Sequence, residues 1–403
     1  MKYSLLLCLS LPVVAIGQFK NDNVLYKTMY WQEFCKQYTA GGDALLLDVR
    51  SKGEYEDTSK NIGLNIGHLK GATHINVNDL DKHIHDLDAY KNKPVYIYCS
   101  HSQRSRRSSK MLADSGFTNV ININGGLTDL YMIPATEVPC KDQLLESKNG
   151  YTPLSPMQVA ELLKTNPSIA VVDVRKDSIF KGLSASAKDK ALGKLKGATN
   201  IPLSSLKAAY ASDNILRSTP ILLIDAFGDE SSQAAVLLVS LGYKNVYTSF
   251  NGLDTWLMLD AAQKKQLSGL IERRINYQVL DADEFSDMAK KEVSIIDVRP
   301  ADEFENHAQL AWRNRGHIKG AVNIPLDKLE EQVSSLSKTL PIIVYGFGSG
   351  AEAYQAAELI SSKGYKNVYV LSTGVWGLRY KAFNNPNKMY LNDWVVDIPE
   401  ENK

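Results

Sequence analysis

The chain repeats itself three times. Asp48-Val49-Arg50 returns as Asp173-Val174-Arg175 and again as Asp297-Val298-Arg299, a period of about 125 residues. Lys70-Gly71-Ala72 returns as Lys196-Gly197-Ala198 and Lys319-Gly320-Ala321, and Gly116-Phe117 with Asn119-Val120 returns as Gly242-Tyr243 with Asn245-Val246 and Gly364-Tyr365 with Asn367-Val368. A period this long exceeds that of stacked solenoid repeats, so each copy is a whole domain with its own core. At 403 residues the chain is too long for one core.

Within each copy, short apolar runs alternate with helical patterns. Runs such as Ala170-Val171-Val172 and Pro220-Ile221-Leu222-Leu223-Ile224 are continuous rather than alternating, as strands covered on both faces require. Ser155 followed by Pro156 reads as a helix N-cap with proline at the first helical position. The pattern predicts an α/β domain with a mainly parallel central sheet flanked by helices. Boundaries are read near 138–151 and 260–275, the second as a possible connecting helix. Residues 391–403 form a tail, whose Trp394 and Val395-Val396 are expected to pack back on a domain.

The chemistry concentrates in residues 94–109, PVYIYCSHSQRSRRSS. Val95 to Tyr98 reads as a buried strand. Cys99 ends it, a tight loop follows, and a helix begins within a few residues. Such a turn aims the free N–H groups of a helix N-terminus at the sulfur. The helix dipole and Arg104 both favour a thiolate over a thiol. A cysteine at a strand end is commonly a core residue. The polar residues after Cys99, and Arg106 and Arg107 nearby, argue for reactivity instead.

These pieces resemble the rhodanese family of sulfurtransferases. The resemblance rests on the Asp48-Val49-Arg50 strand end, the Gly67-His68-Leu69-Lys70-Gly71-Ala72 turn, the loop from Cys99 to Arg104-Ser105, and Gly125-Gly126 before the last helix. It implies an α/β protein of three tandem rhodanese-like domains, at 24–140, 150–262 and 274–390. It also implies a Cys99 that carries sulfur from a small sulfur anion such as thiosulfate, through a persulfide, to a thiol or cyanide. Arg104 is the candidate for the donor's charged end, with Ser100, His101, Ser102, Gln103 and Ser105 completing the loop. Neither a cofactor nor a metal is implied. Ser102 stands where many relatives carry glycine, and is strained if the loop needs a positive φ there. Asp48 with Arg50, and His68, recur in copies without the cysteine and read as structural.

The Cys99 position becomes Asp225 in the second copy and Gly346 in the third; that of Arg104 becomes Glu230 and Ala351. Nucleophile and cation are lost together, so both later domains read as inactive, as scaffold or as a surface for a protein partner. Two other readings of the chain stand beside sulfur transfer. One is a binding, scaffold or redox-sensing protein. The other is cysteine-dependent phosphatase or arsenate reductase chemistry, whose loops place five residues between Cys and Arg where this loop places four.

Lys plus Arg number 46 and Asp plus Glu 45, a balance that does not point to nucleic acid or a charged membrane surface. Residues 1–17 read as a secretory signal peptide, with a short apolar run before a small-residue cleavage site. The expected location is therefore exported, in the periplasm, with no integral membrane segment after cleavage. The remaining cysteines are Cys35, Cys99 and Cys140. An odd number in an exported protein implies a free thiol or an intermolecular bond. If Cys35 pairs with Cys140, Cys99 is the free one.

Overall fold

The computed structural model describes residues 24–38, 42–211, 216–384 and 391–399. The leader read at 1–17 lies outside them. Among the described residues no helix is long and apolar enough to cross a membrane.

Each copy builds a five-stranded sheet with one strand order. In the first domain the order is Lys27–Met29, Val120–Ile123, Val95–Tyr98, Leu45–Asp48, Thr73–His74, with every pairing parallel. The three middle strands are buried at every position, because helices cover both faces and each side chain enters one core or the other. Thr152–Leu154, Val246–Ser249, Ile221–Ile224, Ala170–Asp173 and Thr199–Asn200 repeat this order in the second domain. Gln278–Leu280, Val368–Leu371, Ile342–Tyr345, Ser294–Asp297 and Val322–Asn323 repeat it in the third. Asp48 pairs in register with Tyr98, so Cys99 emerges beyond the C-terminal strand ends, where open parallel sheets bind ligands.

The Asp-Val-Arg motif pins that end of the sheet. Arg50 Nη2 donates to Asp48 Oδ2 at 2.7 Å and to the carbonyl of Gly67 at 2.7 Å, with both side chains fully buried. Arg175 repeats this with Asp173 and Gly193, and Arg299 with Asp297 and Gly316. A bidentate guanidinium–carboxylate pair tolerates such burial because the paired charges are also hydrogen-bonded, although Nη1 of each of the three arginines is buried without a hydrogen-bond partner. The recurrence in two domains without a cysteine marks the pair as a tie between strand end and turn.

The segments read as boundaries close the domains instead of linking them. Lys141–Leu144 is helical and leads into Leu145–Glu146, which pairs antiparallel with His68–Leu69. The second boundary is the helix Ala261–Leu267, leading to Ile271–Glu272 against Lys194–Leu195. The tail does the same, with Val395–Val396 against His317–Ile318. The domains therefore run past 140, 262 and 390, to 146, 272 and 396. His68 belongs to this closure: its Nε2 lies 2.9 Å from Glu146 Oε1. A disulfide joins Cys35 to Cys140 across a Cα–Cα distance of 5.4 Å and leaves Cys99 as a free thiol.

The domains meet head to tail. Second-domain Asp229 lies against first-domain Gly63, where an added Cβ would stand 2.8 Å from Asp229 Oδ1. First-domain Tyr131 stacks on second-domain Phe250 at 4.7 Å. Second-domain Lys190 pairs with third-domain Glu358 at 2.6 Å, and Lys188 Nζ donates to the carbonyl of Ser349. The third domain returns to the first. Tyr380 donates to Asp129 Oδ1 at 3.1 Å, and Asn124 Nδ2 to the carbonyl of Phe383 at 3.1 Å. Asn124 and Phe250 hold equivalent places, two residues before the end of the Gly-Gly (or Asn-Gly) turn, so the third contact repeats the first and closes a ring.

Candidate active site

The Cys99 loop is a strand-to-helix turn. The strand ends at Tyr98, and the helix Gln103–Asp114 starts at the fourth residue beyond Cys99. Ser102 takes φ 80°, the left-handed conformation, as Gly228 does at φ 94° in the second domain. The expected strain is therefore present. It is offset in part by a bond glycine could not make: Ser102 Oγ accepts the N–H of Gly125.

The Gly125-Gly126 turn brings the next helix onto the loop. A Cβ on Gly126 would lie 2.4 Å from the carbonyl oxygen of Cys99. With no side chain there, the N–H groups of Leu127 and Thr128 reach the carbonyls of Cys99 at 2.9 Å and Ser100 at 3.0 Å. The loop carbonyls are thus tied back to the next helix.

Cys99 itself is 1 % exposed and packs beside Leu45, Leu47 and Val49. Its thiol donates to Ser105 Oγ at 3.6 Å, and Ser105 donates on to Asn122 Oδ1 at 2.7 Å. His101 bridges Ser100 Oγ at 2.9 Å and Thr128 Oγ1 at 3.1 Å. The crowding that desolvates its ring, and then the Arg104 charge, lower its pKa below the ordinary histidine value. Gln103 opens the helix and is exposed; Ser100 is buried.

Arg104 differs from its sequence reading. It is not an open cation for a donor. Its two terminal nitrogens bind both oxygens of Glu54 at 2.6 and 2.7 Å, and one also donates to Ser100 Oγ at 2.8 Å. Burial would raise the Glu54 pKa, but the bonds from Arg104 and Ser51 hold it down at about 2. Arg104 therefore braces the loop, and its charge is largely spent on Glu54. The sequence reading gave Glu54 no role at the site, yet two signals were present. Ser51 and Glu54 have capping-box spacing, and where Arg104 becomes Glu230 the Glu54 position becomes Ile179. Arg106 and Arg107 also point away from the sulfur, toward Asn124 at 2.9 Å and Asn78 at 3.4 Å.

The two loops without a cysteine are built in different ways. In the second domain the Asp225 carboxylate accepts the N–H groups of Gly228 at 2.8 Å and Glu230 at 2.9 Å, and the hydroxyl of Ser231 at 2.9 Å. Ser231 stands where Ser105 stands. The loop thus forms an anion cradle and fills it with its own carboxylate. In the third domain the helix starts late, at Glu352. Residues 346–350 carry no charge, as read from sequence, but Glu352 bends back, accepts the Phe347 N–H at 3.3 Å and occupies the space a side chain at Gly346 would need. Glu303, the counterpart of Glu54, pairs with Arg313 instead.

A family model described as the rhodanese-like domain matches three times, at residues 32–132, 155–259 and 281–378. The uncharacterized protein YqhL of Bacillus subtilis (strain 168) is 31% identical over 114 residues, 28% of this chain and 79% of that protein. A putative sulfur carrier protein of the same organism, YrkF, is 31% identical over 114 residues, and the match spans 56% of its length. Among solved structures, thiosulfate sulfurtransferase from Pseudomonas aeruginosa aligns at 16% identity and a TM-score of 0.23, over 86% of this chain and 66% of that one. With the family model matched over most of its length, and one parallel sheet under each match, the chain belongs to the rhodanese-like sulfurtransferase family as a tandem of three domains.

Proposed function

We propose that the protein is an exported sulfurtransferase whose single working site is Cys99. The Cys99 thiolate attacks the outer sulfur of thiosulfate. The sulfur–sulfur bond of the donor breaks, and sulfite leaves with the electron pair. Cys99 then carries a persulfide anion. Cyanide or a thiolate attacks that outer sulfur, takes it as thiocyanate or a new persulfide, and returns the pair to Cys99. Sulfur moves in two displacements with no net oxidation and no cofactor.

The observation that carries this reading is the Asp225 cradle. A loop of the same length, with serine at the same place, already solvates an anion with two N–H groups and a hydroxyl. The corresponding donors for a Cys99 anion are the N–H groups of Ser102 and Arg104 and the hydroxyl of Ser105, once its proton turns from Asn122 to the sulfur. They would hold a terminal sulfur anion as an oxyanion hole holds oxygen. The Cys35–Cys140 disulfide supports an oxidising compartment, consistent with the leader at 1–17.

Thiosulfate:cyanide transfer by wild type, Cys99→Ser and Ser105→Ala tests the reading. Cys99→Ser should be inactive. Ser105→Ala should lose about tenfold, less than an oxyanion-hole deletion, because sulfur accepts weaker hydrogen bonds. Wild-type turnover in Cys99→Ser would sink the mechanism.

A further inference from the structure

The ring has equivalent interfaces, and they are not closed to the same degree. Where the second-domain loop meets the first domain, between Gly63 and Gly228, the space left is about 10 Å³. Where the Cys99 loop faces the third domain, the equivalent space opens to about 650 Å³. His101 and Gln103, from the loop itself, form part of its wall. Of these two interfaces, the open one lies beside the cysteine loop.

Its lining is chemically one-sided. Arg106, Arg107 and Lys110 come from the first domain, and Arg315 and Arg379 from the third. Among the described residues these five cations line it and no carboxylate does, although the Lys110 ammonium is paired with Asp114 at 2.5 Å. Trp376 and Tyr380 supply aromatic surface, and Arg315 lies over the Trp376 ring at 5.2 Å. Arg379 is pushed down to about 10 by burial and then by the neighbouring Arg315 charge. Thiosulfate has only five heavy atoms, far too few to span such a cleft.

We infer that this cleft binds an organic thiol, or its persulfide, bearing at least two carboxylates, and that the third domain selects the sulfur-exchange partner of Cys99. The inference rests on the proposed chemistry for the transfer step alone. In that step the bound thiolate attacks the outer sulfur of the Cys99 persulfide, and the electron pair of the broken sulfur–sulfur bond returns to Cys99. Run in reverse, the same cleft presents a polyanionic persulfide as donor.

The test uses mercaptosuccinate as the dianionic probe and 2-mercaptoethanol as the neutral one, on the full chain. Calorimetry on Cys99→Ser should show mercaptosuccinate binding that weakens at least fivefold in Arg315→Gln or Arg379→Gln and declines with salt. This arm needs no sulfur transfer, so it stands or falls apart from the reading of Cys99. In thiosulfate-loaded protein with Cys99 intact, discharge by mercaptosuccinate should slow at least fivefold in those variants, while discharge by 2-mercaptoethanol stays within twofold. Loading by mercaptosuccinate persulfide, slowed to the same degree, would identify the donor role. Equal binding in wild type and variants, or no difference in salt response between the two thiols in the wild type, overturns the inference. The salt comparison holds even if a variant fails to fold.

Discussion

Ser102 combines a backbone penalty with a bond that offsets it. A non-glycine residue in the left-handed region costs about 1–2 kcal/mol, and an unpaired buried N–H costs about 1–3 kcal/mol. Ser102→Ala keeps the strain and orphans Gly125 N–H, so it should lower stability by about 1–3 kcal/mol. Ser102→Gly relieves the strain as it loses the bond, and should lower stability less. Chemical denaturation of both variants checks the order, and a glycine variant less stable than the alanine one contradicts it. Glu54 yields a pH prediction. Its folded pKa of about 2 lies below its ordinary value. The stability it contributes is therefore fully present above the unfolded value, near 4.3, and is lost as pH falls through about 2. Between pH 5 and 8 it adds no pH dependence. Glu54→Gln should flatten the acid limb of the stability profile below about pH 4.5, and an unchanged limb would show that the Arg104 pair does not form as described. At this scale the sequence revealed Cys99 and its loop. It marked the Glu54–Arg104 pair only by their joint loss in the second copy, because fifty positions separate the partners and neither helical nor strand spacing connects them.

Among the elements, the strands and the cysteine-loop helix were legible because their apolar runs are continuous and their ends are marked by glycine or serine. The two-residue closing strands were not. Leu145–Glu146 and Ile271–Glu272 are too short for any periodicity, and the sequence around them is polar, so the reading left them within the domain boundaries. Their pairing with the His68–Leu69 and Lys194–Leu195 strands exists only in three dimensions. The disulfide belongs to this layer, since it ties the helix Trp31–Gln37 to the start of the first closing segment across 105 residues. Closing a loop of that length stabilises by about 4.7 kcal/mol on the chain-entropy account. Cys35→Ser with Cys140→Ser should lower first-domain stability by roughly that amount, and reductant should destabilise the wild type but not the double variant. Equal sensitivity of both to reductant would contradict the bond.

At the scale of the molecule, three readable repeats become a ring that nothing in the sequence announces, because the contacts between domains follow no period. The ring bears on why we expect the second domain to load no sulfur. Charge in its loop is one cause, since Asp225 fills the cradle and both Arg104 and Glu54 have lost their counterparts. The closed interface at Gly63 is another. Asp225→Cys with Glu230→Arg and Ile179→Glu rebuilds the loop chemistry and leaves that interface shut. We expect this variant, in a Cys99→Ser background, to acquire no persulfide on the time scale at which wild-type Cys99 loads. Mass analysis of the loop peptide reads the outcome, and loading at the wild-type rate would remove the interface from the explanation.

The central claim is that Cys99, although buried, forms a covalent persulfide. Intact mass after incubation with thiosulfate, followed by peptide mapping, tests it most directly. The account predicts a gain of one sulfur atom, confined to the peptide carrying Cys99 and removed by cyanide. An unchanged mass, or sulfur on a peptide without Cys99, would contradict it.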